Sequence, residues 1–326
     1  MDDVKSVLVY VGGDHKIGDA TIKLPLALAV RRAFPQARVT WLAGVGRSAL
    51  AHELAGLVGD ALDEVIENAG VGRSWTELFG ARPLGGRRFD VIVDTQLHLL
   101  ATLAVRRIPH RRFVSGAAGF LLSAARPVGG KRPPEVTRQL AQLLELACGH
   151  AVDWHNGVPL PAAARAEAAR LLPEGSVYVG FAPGSAEEKK RWPLDRFLAV
   201  AREQAAAGRV PAFLLGPQEA GWVETVRAAL PEARLPLQEA GAMTPELTAA
   251  LGGRFAAAVS NDCGAAHLLA LSGVPMVSLF GPSSARKFRP FTPRCEVLDA
   301  RAWGRADIDA IPVEAVSAAL ARLTAA

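Results

Sequence analysis

The residues best suited to chemistry fall at the ends of apolar runs. Asn261-Asp262-Cys263-Gly264 follows Phe255 to Val259, a run short enough to be a buried strand. Asn261 and Asp262 can cap a helix, and Gly264 lets a ligand approach the backbone closely. Ala265 to Leu271 read as a compact apolar helix that carries His267 in its first turns. Gly273 stops it, and Val274 to Phe280 read as the next strand. Strand, glycine turn, helix and strand together leave free backbone N–H groups and the positive end of a helix dipole at a sheet edge. That chemistry holds a phosphate or another anion. A plain βαβ unit, in which the glycine only makes the turn, has the same pattern.

Three further stretches have the same placement. Pro183-Gly184-Ser185 leaves a strand, and Lys189, Lys190 and Arg191 follow before a helix opened by Pro193. A Gly/Ser turn followed by cations suits a diphosphate; the alternative is a solvated basic loop. Glu219, after Gly216-Pro217-Gln218, could accept from ribose hydroxyls or cap the helix it opens. Asp19 follows the glycine turn after the first strand. A carboxylate there can serve as a general base, worth about 10²–10⁴ in rate, or as a helix N-cap.

Other chemistries lack their motifs. Asp307-Ile308-Asp309 has the Asp-x-Asp spacing of some metal-dependent transferases but sits beside the last helix, where it reads as capping chemistry. There is no GxSxG, no Walker lysine motif and no GxGxxG, and Gly12-Gly13-Asp14 is a poor dinucleotide fingerprint. No metal and no cofactor are expected.

Composition narrows the class. The 326 residues suffice for two domains of roughly 150 residues each. Half are hydrophobic, yet no apolar run approaches the ~20 residues that cross a bilayer. The opening MDDVKSVLVY is unlike a secretory signal, and three scattered cysteines point to a reduced compartment. The expected location is the cytoplasm. The net charge of +5 is concentrated between Arg82 and Arg138, where acidic residues are few. Such a region favours an anionic partner. It lacks the interleaved aromatics of a nucleic-acid binder, which leaves acidic sugars, an anionic membrane surface, or no more than a solvated face.

The elements that must position these residues alternate. Strands are expected at Ser6 to Val11, Val39 to Ala43, Glu64 to Glu67, Asp90 to Asp94 and Arg112 to Ser115. Helices are expected over Ala20 to Phe34, Ser48 to Leu57, Trp75 to Phe79, Leu97 to Arg107 and Glu135 to Ala147. His150 to Pro161 reads as a linker, and a second β/α series begins at Val177. The domains expected are 1–155 and 156–326, both Rossmann-like, with a cleft between them as the site.

Several stretches, in order along nearly the whole chain, resemble glycosyltransferase family 9, the ADP-heptose:lipopolysaccharide heptosyltransferases. They are Ile17-Gly18-Asp19, Val93-Asp94-Thr95-Gln96, Pro183-Gly184-Ser185 with Lys190-Arg191-Trp192-Pro193, and Asp262 to Leu268 with Leu279-Phe280-Gly281-Pro282. The resemblance implies an α/β protein of GT-B fold and an inverting transfer of heptose from ADP-heptose to a saccharide acceptor, the inner core of lipopolysaccharide. It implies catalytic roles for Asp19, as base, and for Lys190, as the cation on the departing diphosphate. It implies donor contacts from Gly184, Ser185, Glu219, Met243, Asp262, Cys263, Gly264 and His267. Acceptor contacts are expected from His15, Lys16 and Gln96, joined by Arg111 and Arg112 of the basic region. Contact with the inner face of an anionic membrane would be peripheral. A transferase with another sugar or acceptor, and a non-catalytic nucleotide-binding relative, are the other readings.

Overall fold

The computed structural model describes residues 3–13, 17–152, 154 and 158–325. It divides into two compact units, Met1–Asn156 and Gly157–Ala326. Each is built on a parallel sheet covered by helices.

In the first unit the strands are β1 (Ser6–Val11), β2 (Arg38–Ala43), β3 (Glu64–Ile66), β4 (Phe89–Asp94) and β5 (His110–Ser115). Their spatial order is β3-β2-β1-β4-β5, all parallel. Parallel strands are covered on both faces, which is why β1 reads as an unbroken apolar run and is buried from Val7 to Val11. The helices are α1 (Ile17–Ala33), α2 (Ala55–Val58), α3 (Leu99–Arg106) and α4 (Val136–Cys148). On one face Leu8, Tyr10, Ile92 and Phe113 pack with Ala101 and Val105 of α3. Strand order reverses between β1 and β4, where Tyr10 stands beside Asp94. The carboxyl ends at such a reversal are where open α/β sheets bind ligands.

Two expected helices are shorter and tighter. Ser48 to Leu57 holds a 3₁₀ turn, Ala49–Ala51, and then α2. The Ser48 hydroxyl accepts from Leu50 N–H, and His52 leaves helical geometry, so one continuous helix cannot form. Trp75–Leu78 is a 3₁₀ turn whose Glu77 carboxylate accepts from Gly72, Arg73 and Ser74 N–H.

The second unit has β6 (Tyr178–Ala182), β7 (Val210–Phe213), β8 (Phe255–Asn261), β9 (Met276–Phe280) and β10 (Cys295–Asp299), in the order β10-β9-β8-β6-β7. A one-residue parallel bridge between Ala212 and Arg234 extends the β7 edge. The helices are α5 (Ala162–Leu171), α6 (Leu194–Ala206), α7 (Val223–Ala229), α8 (Pro236–Glu239), α9 (Pro245–Gly252), α10 (Gly264–Ala270), α11 (Ala285–Phe288) and α12 (Val313–Thr324). The period-2 alternation of the strands sorts the core into two layers. Phe181, Phe213, Val259 and Leu279 face α6, α7 and α12, whereas Tyr178, Ala212, Ala258 and Met276 face α5, α9 and α10. Here strand order reverses between β6 and β8, so the carboxyl ends at Ala182 and Asn261 form the ligand edge.

Candidate functional site

Two sets of side chains collect at these two edges. In the second unit, β6 runs out into Pro183-Gly184-Ser185 and β8 into Asp262-Cys263-Gly264. Between β6 and α6, a 3₁₀ turn over Glu188–Lys190 carries the cations. The Lys190 ammonium lies 3.1 Å from Asp262 Oδ2 and 3.1 Å from Glu187 Oε1. Burial alone would lower its pKa, but Asp262 and Glu187 outweigh that and hold it above the ordinary lysine value. Lys189 pairs with the other oxygen of Glu187, at 3.1 Å. Lys190 is thus a charged group fixed at the switch point, not a solvated loop cation.

The turn itself is braced. Arg191 Nε donates to Ser185 O at 2.6 Å, and its guanidinium lies over the Trp222 ring, 5.8 Å from the centroid. Glu219 is buried, and its Oε2 accepts from Gly216 N–H at 3.1 Å, so it does cap its own 3₁₀ turn. Its carboxylate also lies directly against Gly184.

Asn261 and Asp262 are not helix caps. Asn261 ends β8 with its side chain fully buried, and Asp262 pairs with Lys190. The cap position of α10 falls to Cys263, which makes no side-chain cap bond. The Cys263 sulfur lies 3.6 Å from the Ser260 hydroxyl, and burial pushes its thiol pKa up. His267 is buried on α10. Met243 is 44% exposed in the loop between α8 and α9. The structure therefore brings Gly184, Ser185, Lys190, Glu219, Asp262, Cys263 and Gly264 to one sheet edge. A separate cavity of about 540 Å³, lined by Leu160, Arg165, Arg254 and Ser272 among others, lies at the amino ends of β8 and β9, away from this chemistry.

In the first unit, Asp19 is exposed in the first turn of α1. It stands inside the helix, two residues past Ile17, and is therefore not the N-cap. Gln96 lies over Gly12: a Cβ on that glycine would sit 2.8 Å from Gln96 Oε1. His15 and Lys16 lie outside the described residues.

The group that organises this edge is Asp94, which the sequence places in a motif without marking it as a functional residue. It has no exposed surface. Its Oδ1 accepts from Gln96 N–H at 2.9 Å; its Oδ2 accepts from the Thr102 hydroxyl at 2.6 Å and the Ser115 hydroxyl at 2.9 Å. One carboxylate thus ties together the ends of β4 and β5 and the start of α3. Burial pushes its pKa up to about 6 despite these three donors. Thr95 adds a second tie, its hydroxyl donating to Tyr10 O at 2.9 Å.

Arg111 and Arg112 lie at the other end of the sheet from Gln96. In a parallel sheet the first residues of a strand lie at the amino end, and these two open β5. Arg111 pairs with Asp90 at 3.4 Å, where Asp90 also accepts from Lys5 and Ser6 N–H. Arg112 donates to Leu146 O at 2.7 Å. Among the described residues Arg132 comes near the edge that holds Gln96: a Cβ on Gly116 would sit 3.3 Å from Leu97 Cδ2 and 4.0 Å from Arg132 Cδ. Arg132 is exposed and carries no hydrogen bond or ion pair among the described residues.

Among the described residues no group of three His, Cys, Asp or Glu side chains could hold a metal ion. Asp307 and Asp309 both pair with Arg305, at 3.0 and 3.6 Å, and Asp307 makes no side-chain cap bond. No described helix is long and apolar enough to cross a membrane.

With this geometry in hand, the comparisons with known proteins are specific. Residues 80–310 match the family model for glycosyltransferase family 9 (heptosyltransferase). Among solved structures, the family 9 glycosyl transferase of Veillonella parvula DSM 2008 superposes with a TM-score of 0.68 at 21% identity, covering 100% of this chain and 99% of that one. The E. coli ADP-heptose lipopolysaccharide heptosyltransferase II gives 0.66 at 19% identity, covering 98% of both chains. The E. coli heptosyltransferase WaaC, solved with ADP, gives 0.67 at 16% identity, covering 98% and 99%. No curated protein matches the sequence. At such identities the likeness is one of fold, and that fold, two parallel-sheet α/β domains, is GT-B.

Proposed function

Because the chain belongs to glycosyltransferase family 9 (heptosyltransferase), we propose that it moves a heptose from ADP-heptose to a saccharide acceptor of the lipopolysaccharide core. The structural neighbours support that donor: they include WaaC with ADP and with a fluorinated ADP-heptose, and a lipopolysaccharide heptosyltransferase.

The observation that carries the reading is Lys190. A lysine kept charged by Asp262 and Glu187, beside a glycine turn at the switch point of a Rossmann-type sheet, is suited to a leaving nucleoside diphosphate. In the transfer, the acceptor hydroxyl oxygen attacks C1 of the donor sugar and the C1–O bond to the diphosphate breaks. The hydroxyl proton passes to Asp19, and the negative charge gained by ADP is met by Lys190. One displacement inverts the configuration at C1.

Asp19, exposed in the first turn of α1, is the base. Gly184, Ser185, Cys263 and Gly264 offer backbone groups to the diphosphate. Asp262 and His267 are assigned to the sugar and phosphates, Glu219 to the ribose and Met243 to the adenine. On the acceptor side Gln96 is retained, with Arg132 in place of Arg111 and Arg112 as the cation for acidic groups. The basic, acid-free stretch Ala117 to Pro134 would meet lipid phosphates at a membrane surface.

A thermal-shift panel with ADP, UDP, GDP and CDP tests the nucleotide. ADP should raise the melting temperature most, since a ligand bound only to the folded state stabilises it by mass action. An equal or larger shift with UDP or GDP counts against an ADP-linked donor.

A further inference from the structure

Asn261 joins the two segments on which the proposed transfer depends. It is the last residue of β8 and has no exposed surface. Its Nδ2 donates to Pro183 O at 2.7 Å, and its Oδ1 accepts from Trp192 N–H at 3.2 Å. The partners dictate the orientation of the amide, because a backbone carbonyl only accepts and a backbone N–H only donates. Pro183 opens the Gly184-Ser185 turn. Trp192 lies two residues beyond Lys190.

Trp192 has little freedom to follow another path. Its ring is fully buried, its Nε1 donates to Ile311 O at 2.9 Å, and it packs edge-on against Phe197 with centroids 5.0 Å apart. The ring anchors the side chain, and Asn261 anchors the backbone. The bond from Arg191 Nε to Ser185 O closes the same connection one residue nearer to Lys190. Asp262, the partner of the Lys190 ammonium, is the next residue after Asn261.

We propose that Asn261 is a positioning residue for the transfer, holding Lys190 in register with the Gly184-Ser185 turn and with Asp262. The inference rests on the function proposed above and deepens it. Asn261 touches no substrate in this role; it acts through Lys190. Without its carboxamide, a buried carbonyl and a buried N–H lose their partners. The segment carrying Lys190 then relaxes away from the turn.

A double-mutant cycle separates this role from general support of the sheet edge. Initial rates are measured with ADP-heptose and heptose-deficient lipopolysaccharide for wild type, Asn261→Ala, Lys190→Ala and the double variant, with calorimetric ADP affinity alongside. In the wild-type background Asn261→Ala should lower kcat about tenfold or more; in the Lys190→Ala background it should lower it less than about twofold. Equal fold losses in both backgrounds, or an unchanged kcat in Asn261→Ala, overturn the inference. If Asn261→Ala does not fold, Asn261→Asp replaces it: it keeps the acceptor for Trp192 N–H, loses the donor to Pro183 O, and should show the same dependence on Lys190. A Lys190→Ala variant with wild-type kcat overturns the function proposed for Lys190 and this inference with it. A crippled Lys190→Ala variant with additive loss from Asn261→Ala overturns this inference alone.

Discussion

A side chain at Gly184 would displace Glu219, because a Cβ there would sit 2.5 Å from the carboxyl carbon of Glu219. The requirement is one of close approach: the turn after β6 and the carboxylate after β7 pack into each other, and Glu219 is held in place by its bond to Gly216 N–H. Gly184→Ala should therefore push Glu219 off Gly216. The expected cost is about 1–3 kcal/mol of stability, with ADP affinity about tenfold weaker by calorimetry. Unchanged ADP affinity would separate Glu219 from the donor.

Asp19→Asn removes a base while leaving the second unit untouched. Turnover should fall by about 10²–10⁴, with ADP affinity kept within about twofold. Rapid-quench or steady-state rates settle this, and near-normal turnover would assign the proton to another group.

Arg132→Glu and Arg111→Glu make a contrasting pair. Reversal at Arg132, which approaches Gly116 and Leu97 at the ligand edge, should raise the acceptor KM about tenfold or more. Reversal at Arg111, paired with Asp90 at the far end of the sheet, should leave KM unchanged and cost at most about 1 kcal/mol of stability. The opposite ranking would return the acceptor site to the amino end.

Asp94 predicts a pH dependence. Its folded pKa, about 6, is raised above the ordinary aspartate value of 3.8, because burial disfavours the carboxylate. Between those two values the folded state binds more protons than the unfolded state, so this group's contribution to stability falls as pH rises. The loss is on the order of 3 kcal/mol, and it levels off above about pH 6. In Asp94→Asn the amide oxygen can still accept from Gln96 N–H, and the two hydroxyls can turn to accept from the amide nitrogen. Its stability relative to wild type should therefore rise from pH 4 to pH 7, measured by urea unfolding at each pH. A constant difference would show that Asp94 is not the titrating group.

Much of this was legible in the chain because parallel strands buried on both faces write themselves as short apolar runs; β1, β4, β8 and β9 are examples. The Gly184 turn and the Lys190 cluster were legible for the same reason, since each follows such a run. The short helical stretches were not. Ser48 and Glu77 bind nearby backbone N–H groups, a competition that apolar periodicity does not report. Charge was misleading without register. Arg111 and Arg112 sit within a basic stretch, and the pairing of Phe89 with His110 fixes them at the amino end of their strand. Asn261 reads as a cap because Asn is favoured at helix N-caps; that it closes a contact with Pro183, 78 residues away in sequence, is visible only in three dimensions.

The proposed chemistry is tested most directly by incubating the protein with ADP-heptose and heptose-deficient lipopolysaccharide and weighing the product by mass spectrometry. Wild type should add one heptose residue to the acceptor and release ADP, and both Asp19→Asn and Lys190→Ala, folded by circular dichroism, should lose most of that product. No heptose added by the wild type, or undiminished product from the Lys190→Ala variant, would contradict it.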